Sequence, residues 1–232
     1  MSTTWLLTAR MKKGWTQADA ASRLGVSQGY WSLLETGRRA VPARLLPSLR
    51  RQLPVPATTA PLNERAVQAE DGSLARALAV LGYPGFAHLR AKRAAPVNPA
   101  VVLLVALRMP DLDARVVEAL PWVVRTYTDL DWPWLVRRAK VDDLQNRLGF
   151  VVGLAREVAS RAEDDIALNA LTPVLQTLDG SRLVKEDTLC RSSMPTAERR
   201  YLASARSDMA RHWNVMSDLK ADALPWAVDD VE

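Results

Sequence analysis

Apolar residues recur along this chain every three or four positions, and runs alternating apolar with polar residues are absent. That period belongs to helices burying one stripe, so the chain reads as all-α. The clearest instance lies near the start. Ala20, Ala21 and Leu24 fall on one narrow face, and its two alanines let a neighbouring helix come close. Thr16 stands before them as an N-cap, and Asp19 three residues on completes a capping box. Gly25 is suited to the positive φ that ends such a helix, with Val26 turning into the core beneath. Ser27 caps a second helix that runs to about Glu35, and Gly37 is placed to terminate it. Trp31 and Leu34, at i and i+3, face inward there. Gln28, Gly29, Ser32 and Leu33 are left on the outer side.

The outer face carries specific chemistry. A glutamine near a helix N-terminus can bond adenine through two atoms, and a serine can bond several base edges. Gly29 would let the backbone approach a duplex closely. Tyr30 reaches either a phosphate or a thymine methyl, or packs at the rim. Residues 1–55 resemble the phage repressor and Cro type of helix-turn-helix domain, the xenobiotic-response-element-like family. The resemblance rests on Thr16-Gln17, the Leu24-Gly25-Val26-Ser27 turn, Leu34-Glu35-x-Gly37 and Pro42 after it. It implies a compact five-helix unit in which the helix opened by Ser27 reads bases and Gln17 contacts a phosphate. It also implies a structural ion pair between Arg10 and Glu35. Two positions depart from the family pattern: Trp31, where a smaller aliphatic is usual, and Gly29, a poor helix former.

Charge is unevenly spread. Residues 1–60 hold nine Lys or Arg against Asp19 and Glu35, an excess of +7, while the whole chain is +5, leaving −2 for residues 61–232. The basic excess sits with the motif, where phosphate neutralisation requires it. Lys12, Lys13, Arg38, Arg39 and Arg44 flank the two helices. With Gln17, Ser27 and Tyr30 they are the expected phosphate contacts, while Gln28, Gly29, Ser32 and Leu33 are the expected base contacts.

Residues 54–61 contain three prolines and little to bury, which marks an extended linker. The expected organisation is a DNA-binding domain over 1–55, a linker over 56–62 and an all-α dimerisation or partner-binding domain over 63–232. In the last, helical spacing predicts helices over 64–81 (interrupted at Asp71-Gly72), 86–92, 99–108, 112–128, 132–140, 142–162, 165–178 and 196–213. Asp- and Pro-rich corners at 109–113 and 128–133 punctuate them. Of eight tryptophans, Trp122, Trp132, Trp134 and Trp226 lie beside prolines, either as packing at helix corners or as partner anchors. Trp226 opens an apolar-then-acidic tail, through Glu232, that docks on a partner or on its own domain.

Little argues for catalysis. His88 and His212 are the only histidines, far apart and outside any metal-binding or triad spacing, and no phosphate-binding glycine loop or zinc-protease motif occurs. Glu163-Asp164-Asp165 and Asp142-Asp143 read as acidic helix starts. Cys190 stands alone, excluding a disulfide framework and a cysteine-based zinc site. No enzyme, metal or cofactor is therefore expected. No 18-residue apolar run or signal-peptide pattern appears, which predicts a soluble, cytoplasmic chain. The pI near 9.6 suits a nucleic-acid partner.

These readings converge on a transcriptional regulator, a repressor acting as a homodimer on a double-stranded DNA operator. The stretches Leu81-Gly-Tyr-Pro84, Pro110-Asp-Leu-Asp113 and Asp143-Leu-Gln-Asn-Arg-Leu-Gly-Phe150 resemble regulators encoded beside abortive-infection nucleotidyltransferase toxins. That likeness implies an antitoxin that represses its own operon and neutralises a toxin partner. The alternative is a ligand-sensing repressor whose C-terminal bundle holds a small molecule.

Overall fold

The computed structural model describes residues 4–91 and 94–228. Chain contacts divide it into two units, Met1–Thr59 and Ala60–Glu232. The fold is all-α: a helix-turn-helix unit and a larger helical bundle.

The first unit holds α1 (Thr4–Lys12), α2 (Gln17–Leu24), α3 (Gln28–Glu35) and α4 (Leu46–Gln52), with single 3₁₀ turns at Ala43–Leu45 and Ala57–Thr59. Its core joins one stripe from each helix: Leu6 and Ala9, Ala20, Ala21 and Leu24, Trp31 and Leu34, then Leu49, with Leu53 beyond α4. Trp31 is fully buried, so the bulk that departs from the family pattern fills the centre of this small core. Val55 packs against the same cluster, and Thr58 is also buried. The proline-rich stretch is thus partly packed.

The second unit contains α5 (Asp71–Leu81), α6 (Pro99–Arg108), α7 (Ala114–Thr126), α8 (Trp132–Val141), α9 (Gln145–Arg161), α10 (Asp165–Asp179), α11 (Thr196–Ala205), α12 (Asp208–His212) and α13 (Pro225–Val228). At its centre lies α9, packed against α7, α8, α10 and α12. Its N-terminal half is buried all round, as a helix with neighbours on every side must be. Gly149 and Gly153 are the exceptions to helix-former composition, and packing explains both. A Cβ at Gly149 would overlap the Trp213 ring, and one at Gly153 would overlap the Met209 thioether. Arg147 ties this core together: it grips Asp187 through Nε at 2.7 Å and Nη2 at 2.8 Å, and caps the Leu107 carbonyl from Nη1 at 2.8 Å.

Several boundaries differ from the sequence expectation. The helix expected over 64–81 begins only at Asp71; before it, Asn63 caps a 3₁₀ turn at Glu64–Ala66. The segment expected as helix from Phe86 is a 3₁₀ stretch, Pro84–Leu89, bent at Phe86, and Lys92 lies outside the described residues. The run over 196–213 is broken at Arg206, because the Ser207 hydroxyl accepts from the Ala210 amide and starts a new helix. Asp142 and Asp143 do not open a helix. Asp142 ends α8 and pairs with Arg108 at 2.6 Å, Asp143 takes a positive φ of 55°, and α9 starts at Gln145. Asp164, by contrast, caps α10 by accepting from the Ala167 amide. A two-stranded parallel pair also exists, β1 (Asp187–Thr188) and β2 (Val215–Met216). Two residues per strand are too few to leave an alternating signature.

Candidate nucleic-acid interface

The two helices of the motif are built by local caps. The Thr16 hydroxyl accepts from the Asp19 amide at 3.1 Å, while the Asp19 carboxylate accepts from the Thr16 amide at 2.9 Å and the Thr16 hydroxyl at 2.7 Å. These hydrogen bonds, the hydroxyl's foremost, hold the Asp19 carboxyl below the usual carboxylate range. Gly25 closes α2 at a φ of 67°, the left-handed region glycine adopts without steric cost. Ser27 then opens α3, its hydroxyl accepting from the Tyr30 amide at 3.2 Å.

At eight residues α3 is about 12 Å long, and its diameter with side chains, about 10–12 Å, fits a major groove about 12 Å wide. Gln28 and Gly29 are exposed, Ser32 is half-buried, and Leu33 is 37 % exposed. Gly29, Ser32 and Leu33 lie away from the buried Trp31 and Leu34, and Gln28, three residues before Trp31, stands at the edge of that buried stripe. Nothing lies within 4 Å of where a Gly29 Cβ would sit. The Ser27 hydroxyl takes the Tyr30 amide, and the Gln28 and Gly29 amides ahead of it have no acceptor one turn back, so this end offers donors as well as side chains.

Behind the face, a buried network locks the helices. Arg10 donates from Nε to Glu35 Oε1 at 2.6 Å and from Nη1 to the Trp15 carbonyl at 2.6 Å. Gln17 donates from Nε2 to Glu35 Oε2 at 2.6 Å. The Glu35 side chain is only 4 % exposed. The Gln17 amide is therefore engaged by Glu35 rather than presented outward.

Lys12, Lys13, Arg38, Arg39 and Arg44 are all exposed, Lys12 and Lys13 at the end of α1 and just after it, Arg38 and Arg39 just after α3, and Arg44 in the 3₁₀ turn before α4. Because Glu35 is buried against Arg10, Asp19 is the one exposed carboxylate within residues 1–60. The surface potential of this unit is accordingly positive. Two guanidinium groups are held on aromatic rings: Arg39 lies 5.3 Å from the Tyr30 ring centroid, and Arg23 lies 4.6 Å from that of Trp15. Sequence reasoning missed both stackings, together with the Gln17–Glu35 bond. Trp15 and Arg23 lie eight positions apart and Tyr30 and Arg39 nine, outside the i, i+3 and i+4 rules of a single helix. Tyr30 is half-buried and packed on the core, so its ring serves as a shelf for Arg39.

In the second unit, Trp226 is buried and its indole N–H donates to the Glu118 carbonyl at 2.9 Å. That ring packs on its own unit; the last four residues of the tail lie outside the described residues. Cys190 is buried too, and burial pushes its thiol up to about 12. His212 pairs with Asp179 at 2.8 Å, and among the described residues no hydroxyl or thiol side chain lines the groove beside them. Among the described residues no group of acids, histidines and cysteines is placed to hold a metal ion, and no helix is long and apolar enough to cross a membrane.

Residues 6–58 match the family model of a helix-turn-helix domain. The chain matches no curated protein and no solved structure.

Proposed function

We propose that this DNA-binding regulator is a sequence-specific repressor. Its α3 enters the major groove, and Gln28 reads a base edge with Gly29, Ser32 and Leu33 against the same site. Lys12, Lys13, Arg38, Arg39 and Arg44 neutralise phosphates around it, and the N-terminus of α2 adds a backbone donor. The observation that carries the reading is the exposed polar face of α3 within a unit carrying an excess of +7. Two copies bind half-sites about one helical turn apart.

The test is selection of bound sequences from a random duplex pool by the full-length chain. A consensus should emerge, and Gln28→Ala should relax one position of it at a cost of roughly 1–3 kcal/mol. Binding all sequences alike would remove the reading. The second unit serves as a partner-binding arm, as in antitoxins that repress their own operon. An open groove between α8 and α10 supports that role. Co-purification with the product of a neighbouring gene, toxic when expressed alone, tests it.

A further inference from the structure

Both α8 and α10 pack against α9, and between them runs a groove of about 720 Å³. Trp132, Pro133 and Val136 form one wall with Val141, and Pro173 and Val174 form the other. Val141 is 67 % exposed although it ends an apolar wall. The Trp132 ring is held in place by its N–H, which donates to the Thr128 carbonyl at 3.0 Å. Arg137 and Lys140, one turn apart on α8, stand at the rim. Neither has a partner among the described residues. Among the described residues no acidic side chain lines the groove.

We propose that this groove docks an amphipathic helix from a partner protein, with its apolar stripe on the groove floor and an acidic edge against Arg137 and Lys140. The shape argues for a helix. Two helices packed on a third present ridges and a trough that accept another helix, and the ten residues of α8 give a channel about 15 Å long. That length matches anchors at i, i+3 and i+7. The charge argues for acid. Two exposed cations at the rim of a groove whose described lining has no carboxylate favour a partner bearing negative charge, and the apolar walls disfavour a nucleic-acid backbone. The inference deepens the partner-binding role proposed for the second unit and does not depend on α3 reading DNA.

The probe is a labelled, end-blocked 14-residue helical peptide with leucines at i, i+3 and i+7 and glutamates along one edge. It is titrated into the full-length chain by fluorescence anisotropy, without DNA. Saturable binding is expected. The double variant Arg137→Glu/Lys140→Glu, at exposed positions whose fold circular dichroism verifies, should weaken it about tenfold, and so should lysines in place of the peptide's glutamates. Val141→Asp should weaken it independently of the charges. Equal binding by wild type and the double variant would overturn the proposal, as would no binding at millimolar peptide. Self-association of the chain abolished by the same substitutions would overturn it too, because a second copy would then fill the groove. Failure to co-purify with a neighbouring gene product, with the peptide still bound, would count against the antitoxin role alone.

Discussion

Gly29→Ala separates the demands of folding from those of recognition, because the two point in opposite directions. Glycine inside a helix is worse than alanine by about 0.5–1 kcal/mol, chiefly through backbone entropy. The backbone at Gly29 is ordinary helix, and a Cβ there would meet nothing within 4 Å. No steric cost offsets the gain. The position is the second of α3, where the full interior value does not apply, so about 0.5 kcal/mol is the working figure. If the backbone approaches a duplex here, the same methyl group must stand between α3 and the base edges. A misfit of that kind should cost about tenfold in affinity, or roughly 1.4 kcal/mol.

Native-state hydrogen exchange reads the first effect. The α1 and α3 amides should exchange about twofold more slowly in the variant. Binding to the operator selected by the wild type reads the second and should weaken about tenfold. Slower exchange with unchanged affinity would refute the close approach at Gly29. Faster exchange would refute the open space around it.

Glu35→Ala should unfold the first unit while sparing the second. It strands Arg10 and the Gln17 amide in a buried site, at a cost of about 3–5 kcal/mol; resonances of α1 to α4 should collapse in amide spectra while those of α9 persist. Cys190 should react with a thiol-directed alkylating reagent at pH 8 about a thousandfold more slowly than an ordinary thiol, since a pKa of about 12 leaves little thiolate. Reaction at the rate of a small-molecule thiol would contradict its burial. The Arg108 hydrogen bond holds Glu64 below its ordinary value of 4.5. A lowered folded pKa means the stabilisation is full above 4.5 and fades as pH falls toward the folded value. Acid unfolding should therefore lose part of its pH dependence in Glu64→Gln, and an unaltered curve would exclude the pair as a contributor.

What was legible in the sequence depended on how far apart the interacting residues lie. Thr16 with Asp19, Gly25 after Leu24, and Ser27 before α3 are signals written within four residues, and the structure realises each one. The inward positions of α3 followed from its period. The Arg10–Glu35 pair spans 25 residues and came only from family resemblance, because nothing local links an arginine in α1 to a glutamate in α3. The Arg147–Asp187 pair spans 40 residues and had no such guide. Boundaries failed where a polar residue competed for a backbone amide, as Ser207 does in the middle of an otherwise helical run. Asp142 misled for a related reason: an acid before a helix resembles a cap until Arg108 takes it.

The same distance rule separates the two surfaces of this protein. The face proposed to read bases sits on one short helix, so Gln28, Gly29, Ser32 and Leu33 could be named from spacing alone. The groove between α8 and α10 is assembled by two helices that both lean on α9, and its walls lie more than thirty residues apart in the chain. Each wall alone looks like an ordinary amphipathic helix whose apolar positions belong to the core. Only when α9 fixes their separation do Val141 and Pro173 become the sides of an open channel, and only then do Arg137 and Lys140 become a charged rim rather than a solvated face.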